Sequence, residues 1–114
     1  MSGEMLKGHL DLLLLSIVSK GPAHGYAIIE QLKVRSNGRF DLAEGTVYPA
    51  LHRLEELELV RSRWATPTEG SRRRRVYELT ARGRKALTAR AAEWQSFIEG
   101  IHSVLGGGPW PTTS

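Results

Sequence analysis

Apolar side chains at Leu6, Leu10, Leu13, Leu14, Ile17 and Val18 recur at the three-and-four spacing of a helix with one buried face. They predict a helix over residues 5–19, with Gly21 and Pro22 as a stop. Residues 25–35 predict a second, short helix that buries Ile28, Ile29 and Leu32, and Asn37–Gly38 suit a left-handed end. Over residues 44–58, Val47, Ala50, Leu51, Leu54 and Leu57 fall within about 120° of a helical wheel. The outward set is then Gly45, Thr46, Tyr48, Pro49, His52, Arg53 and Glu56. Ala43 stands at the N-cap position of this third helix and offers no capping oxygen. Pro49, close to its first turn, costs one backbone donor and predicts local irregularity.

After Leu59 the period changes from helical to two. Val60, Ser62 and Trp64 alternate with Arg61, Arg63 and Ala65, and beyond a turn cluster at 67–71, Arg73, Arg75, Tyr77 and Leu79 alternate likewise. This is the pattern of a β-hairpin. Thr80 is a good N-cap for a final helix in which Leu87, Ala91, Trp94, Ile98, Ile101 and Leu105 are spaced 4, 3, 4, 3, 4. A heptad seam of that length at the end of a small domain is suited to a second chain. Residues 106–114, with three glycines and two prolines, predict a disordered tail.

The chain has 114 residues, enough for a single domain with one modest core, and this excludes a two-domain enzyme. Cysteine is absent, so disulfides, thiolate metal sites and cysteine nucleophiles are excluded, in keeping with a reducing compartment. The longest apolar run, Leu12 to Val18, falls far short of the roughly 20 residues of a bilayer span. No basic stretch followed by an apolar segment and a cleavage site opens the chain, so a cytoplasmic location and no membrane partner are expected.

Charge changes the picture more. The net charge is +4, but residues 60–90 carry ten Lys or Arg against Glu69 and Glu78, a local +8 that leaves −4 elsewhere. Such asymmetry directs one face toward a polyanion. Three helices followed by a basic hairpin make a mainly α chain with a β-hairpin (α+β): a winged helix-turn-helix DNA-binding domain over residues 5–79. A dimerisation helix over 80–105 follows.

The segments HGYAIIEQL (His24 to Leu32), EGTVYPALHRLEELELV (Glu44 to Val60) and SRRRRVYELTARGRKAL (Ser71 to Leu87) resemble the PadR family of bacterial transcriptional regulators. The resemblance extends over nearly all of Leu6 to Leu105. Length and a single C-terminal helix are similar to the short PadR subfamily, which includes multidrug-sensing repressors. It implies a dimeric repressor that binds a pseudo-palindromic operator in double-stranded DNA, with half-sites roughly 10 bp apart or a multiple of that.

Duplex recognition needs cations on phosphates and a few side chains on base edges. Arg72, Arg73, Arg74 and Arg75 are the first candidates. On a strand they alternate, so either Arg72 with Arg74 or Arg73 with Arg75 faces the DNA, and the parity of Tyr77 and Leu79 places Arg73 and Arg75 on the core-facing side. A solvated basic strand is the plain alternative. On the third helix Gly45, Thr46, Tyr48, Pro49, His52 and Arg53 form the face that can reach bases or phosphates, with Arg53 alternatively paired to Glu56 or Glu30. Tyr26 and the amide of Gly25 can hold a phosphate at the start of the second helix, whereas His24 reads as a loop residue.

Trp94 reads as a dimer anchor together with Leu87, Ala91, Ile98, Ile101 and Leu105. The resemblance adds a second role, because a tryptophan at the matching place in the short subfamily stacks on planar drugs. That makes Trp94, Phe97 and Ile98 candidates for a small aromatic effector, with Met5 or Leu13 of a partner's first helix as neighbours. Trp64 is assigned to the core and Trp110 to the tail. His9, His24, His52 and His102 lack metal-ligand spacing, and no nucleophile elbow, phosphate loop or carboxylate pair points to catalysis. No metal, cofactor or enzymatic activity is expected. The rival readings are a winged-helix module that binds protein or RNA, and a ligand-binding or enzymatic protein built on the dimer slot.

Overall fold

The computed structural model describes residues 6, 8–65 and 73–110. In chain order its elements are α1 (Leu10–Val18), β1 (Ala23–His24), α2 (Gly25–Arg35), α3 (Glu44–Glu56), β2 (Val60–Ala65), β3 (Arg74–Leu79) and α4 (Ala81–Gly106). The strands form one antiparallel sheet in the order β1-β3-β2. This is a winged helix-turn-helix with a long C-terminal helix, the fold class that the patterning predicts.

α1 starts at Leu10, later than periodicity suggests, because Gly8 and His9 form a turn in which the His9 N–H bonds to Leu6 O at 2.9 Å. Glycine is a poor helix former, and here it ends a continuous apolar pattern. α2 spans the residues predicted for it, and Asn37 (φ 55°) with Gly38 (φ 84°) supplies the left-handed exit. α3 continues through Pro49 but stops at Glu56, two residues early. Glu58 turns left-handed (φ 61°), which carries Leu57 out to 45% exposure and leaves Leu59 to enter the core instead.

The core gathers Leu14, Leu15 and Val18 of α1, Ile28 and Leu32 of α2, Val47, Leu51 and Leu54 of α3, and Val60 and Tyr77 of the sheet. Hydrophobic burial on this face holds the outward side of α3 in a fixed orientation. The strand register pairs Val60 with Leu79, Ser62 with Tyr77 and Trp64 with Arg75. Trp64 therefore has core-facing parity, but it lies past the end of the core and is 53% exposed, contrary to its assignment as a core residue. β1, which patterning missed, is two residues long, too short to show any period.

Thr80 caps α4 as predicted, its Oγ1 accepting the Gly83 N–H at 2.9 Å and donating to Glu58 O at 2.7 Å. Gly83 allows the helix to lie against the β2 entry, since a Cβ there would collide with the Leu59 carbonyl oxygen. Ala86 and Leu87 pack on the core, but beyond them α4 leaves it.

Candidate nucleic-acid interface

Anchored by Val47, Ala50, Leu51 and Leu54, α3 turns Gly45, Thr46, Pro49, His52 and Arg53 to solvent. Tyr48 is half-buried because its ring lies over Gly25, where a Cβ would meet the tyrosine hydroxyl. Burial first, then the charge of Glu44 and the neighbouring Tyr26, pushes the Tyr48 phenol above its ordinary range. It stays protonated and keeps a hydrogen to donate. Tyr26 is 65% exposed at the start of α2.

These residues meet the wing. A concavity of about 430 Å³ is lined by His24, Gly25, Tyr26, Tyr48, Arg73, Arg74 and Arg75, so three distant segments converge on one cationic, aromatic surface. Arg72 lies outside the described residues. Arg73 and Arg75 sit over the Trp64 ring, 5.1 and 5.6 Å from its centroid, so an exposed tryptophan orders two guanidiniums through its π face. Arg74 points the other way, its Nη1 2.9 Å from His24 Nε2. Arg75 is further tied down: its Nε donates to Ser62 Oγ at 2.7 Å, and its Nη2 lies 3.5 Å from Glu55 Oε2. Glu55 also accepts from the Ser62 hydroxyl.

His52 and Arg53 lie outside the concavity, one turn further along α3. Arg53 pairs with neither Glu56 nor Glu30, as sequence suggested, but with Asp11 of α1. Arg90 of α4 reaches the other Asp11 oxygen at 3.3 Å. One carboxylate thus joins α3, α1 and α4. Its sequence signal was a lone acid at the head of an apolar run.

Asp11 also lines a second cavity, of about 500 Å³, with Gly8, His9, Leu12, Arg90, Glu93, Trp94 and Phe97. The His9 ring lies 4.5 Å from that of Trp94 at 56°, and Phe97 follows at 5.7 Å. Of the predicted ligand residues, Trp94 and Phe97 line this cavity and Ile98 does not. Leu13 packs against its own core, and Met5 lies outside the described residues. Among the seam residues, Leu87 is used within the chain, while Trp94 and Ile98 are half-buried and Ala91, Ile101 and Leu105 are exposed. Phe97 and Val104 widen the uncovered apolar stripe.

A helix-turn-helix with an outward helix beside an arginine-rich wing defines a DNA-binding module. Residues 14–89 match the Transcriptional regulator PadR-like family. The chain belongs to that family: it is a DNA-binding transcriptional regulator and not an enzyme. It is 36% identical over 104 residues to the transcriptional regulator Rv3488 of Mycobacterium tuberculosis, covering 91% of this chain and 90% of that one. A PadR family transcription regulator from Clostridium difficile superposes with a TM-score of 0.72 at 36% identity, over 86% of this chain and 98% of that one. A transcriptional regulator from Clostridium thermocellum gives 0.80 at 26% identity, over 90% and 96%. Among the described residues no helix is long and apolar enough to cross a membrane.

Proposed function

We propose that the protein is a homodimeric repressor that binds a pseudo-palindromic operator and is released by a planar aromatic ligand. The dimer reading is carried by the far half of α4, where Phe97 is 58% exposed and Val104 and Leu105 are each 82% exposed. An apolar stripe along a free helix costs hydration free energy until a partner covers it, and a second copy of the same helix is self-complementary. The pairing would present two copies of α3 to successive major grooves, with Gly45, Thr46, Pro49, His52 and Arg53 toward the DNA. Tyr26, Tyr48 and Arg72 to Arg75 would hold the flanking backbone. The resemblance to the short subfamily supports repression as the outcome.

The ligand reading rests on Trp94, His9 and Phe97 around a cavity that also contains Asp11 and Arg90. A flat ring inserted against Trp94 must move His9, whose neighbour Asp11 is joined to Arg53 on the outward face of α3. Ligand and DNA would then favour different arrangements of α4 and α3, and that differential affinity is what release requires. Footprinting of the DNA upstream of the protein's own gene, repeated with planar dyes and with Trp94→Phe, tests the proposal. A protected palindrome that dye abolishes for the parent protein but not for the variant is the expected result. Monomeric sedimentation at micromolar concentration would refute the dimer.

A further inference from the structure

His24 has no part in the interface as read from sequence, yet its ring sits between two donors. Nδ1 accepts the Ala27 N–H at 3.2 Å and caps α2. Nε2 lies 2.9 Å from Arg74 Nη1. A neutral imidazole accepts at one nitrogen only, and a guanidinium has nothing but hydrogens to offer. When Nδ1 accepts from Ala27, the ring proton is on Nε2 and faces the Arg74 N–H. In the other tautomer Arg74 is satisfied, and the clash of donors moves to Ala27. Protonation makes both nitrogens donors and places a second positive charge beside Arg74. Burial first, and Arg74 second, hold the ring below the ordinary histidine range, so the neutral ring dominates near neutrality. In the neutral tautomer that keeps the Ala27 bond, His24 and Arg74 face each other donor to donor and the pair is one acceptor short.

Among the described residues the concavity does not supply that acceptor as a charge. Gly25, Tyr26, Tyr48, Arg73 and Arg75 are the other described residues that line the concavity, and none of these is a carboxylate. We propose that His24 and Arg74 together clamp one phosphate oxygen of the DNA backbone, His24 donating from Nε2–H and Arg74 from Nη1–H. A single anionic oxygen between the two accepts from both, while Nδ1 keeps its bond to Ala27. Because His24 belongs to β1 and Arg74 to β3, the bound phosphate links the helix-turn-helix to the wing. The clamp rests on the reading that the wing arginines face DNA, and it adds a contact from outside the wing.

A phosphate contact is independent of sequence, so the probe is a mixed-sequence duplex at low salt, titrated with the full chain. Arg74→Ala is expected to weaken binding about tenfold and to reduce the salt slope by about one. His24→Asn keeps a cap, since asparagine is a preferred N-cap, but cannot reach Arg74. Its thermal midpoint should stay near that of the parent while affinity falls roughly threefold to tenfold. In the double variant the losses should fall well short of multiplying, as for two groups on one oxygen. Full multiplication, or parental affinity of His24→Asn beside an impaired Arg74→Ala, overturns the clamp and leaves the wing reading standing. An unchanged Arg74→Ala overturns the wing reading at this residue. Nitrogen NMR of the parent's His24 ring is a check that needs no variant. The Nε2 signal should shift on duplex saturation with the Nε2–H tautomer retained, and an unmoved signal overturns the clamp.

Discussion

Glu55 takes the Ser62 hydroxyl and lies near the Arg75 guanidinium, so a single carboxylate on α3 secures both strands of the wing. The Ser62 hydrogen bond first, and Arg75 with it, holds the Glu55 carboxyl below its ordinary range. A carboxyl with a lowered folded-state value stabilises above its unfolded value and loses that contribution as pH falls through the folded one. Glu55→Gln is expected to cost about 1 kcal/mol at neutral pH and to flatten the acid side of the stability curve, as urea melts across pH will show. Glycines separate by surroundings. Gly83→Ala drives a methyl into the Leu59 carbonyl and should lower stability by more than about 3 kcal/mol, whereas Gly100→Ala, with open space around it, should strengthen α4 by up to about 1 kcal/mol. Calorimetry of the two variants distinguishes them. At this scale the sequence was partly legible. The arginines, Tyr48 and the Thr80 cap stand out by residue type and position. His24, Asp11 and Trp64 do not, because their roles depend on what lies opposite them across 50, 79 and 42 residues or on where the core ends.

Elements were more legible than contacts. α2, the two wing strands and α4 follow from period and capping, since each is long enough for the pattern to repeat. β1 is not, and the end of α3 was misplaced because apolar Leu57 extends the helical pattern past the point where Glu58 turns left-handed. The uncovered half of α4 carries its own prediction. Val104→Asp places a charge in the apolar stripe and should convert the proposed dimer to monomer in sedimentation while helical circular dichroism of the domain persists. The joint between elements carries another. Asp11→Asn keeps shape but removes the charge shared by Arg53 and Arg90, and should reduce the dye-induced loss of DNA affinity at least about fivefold, with dye binding at Trp94 retained.

For the whole molecule the salt dependence of DNA binding is the broadest readout. Residues 60–90 hold a local +8 in a chain whose net charge is only +4, so affinity should fall steeply with ionic strength despite the modest total. Replacing Arg73 and Arg74 together by alanine should lower the slope of log affinity against log salt by about two, measured by fluorescence anisotropy. Composition, periodicity and charge patterning determined by themselves that this chain is a three-helix domain with a basic hairpin and a long helical seam, because those properties are local and repeat along the chain. Tertiary structure alone decided that Trp64 orders arginines in place of filling the core, that His24 meets Arg74, and that Asp11 joins α3 to α4. Each of these is a pairing of residues distant in the chain, and which distant groups meet is set by how packed elements cross, a geometry that no one-dimensional pattern contains.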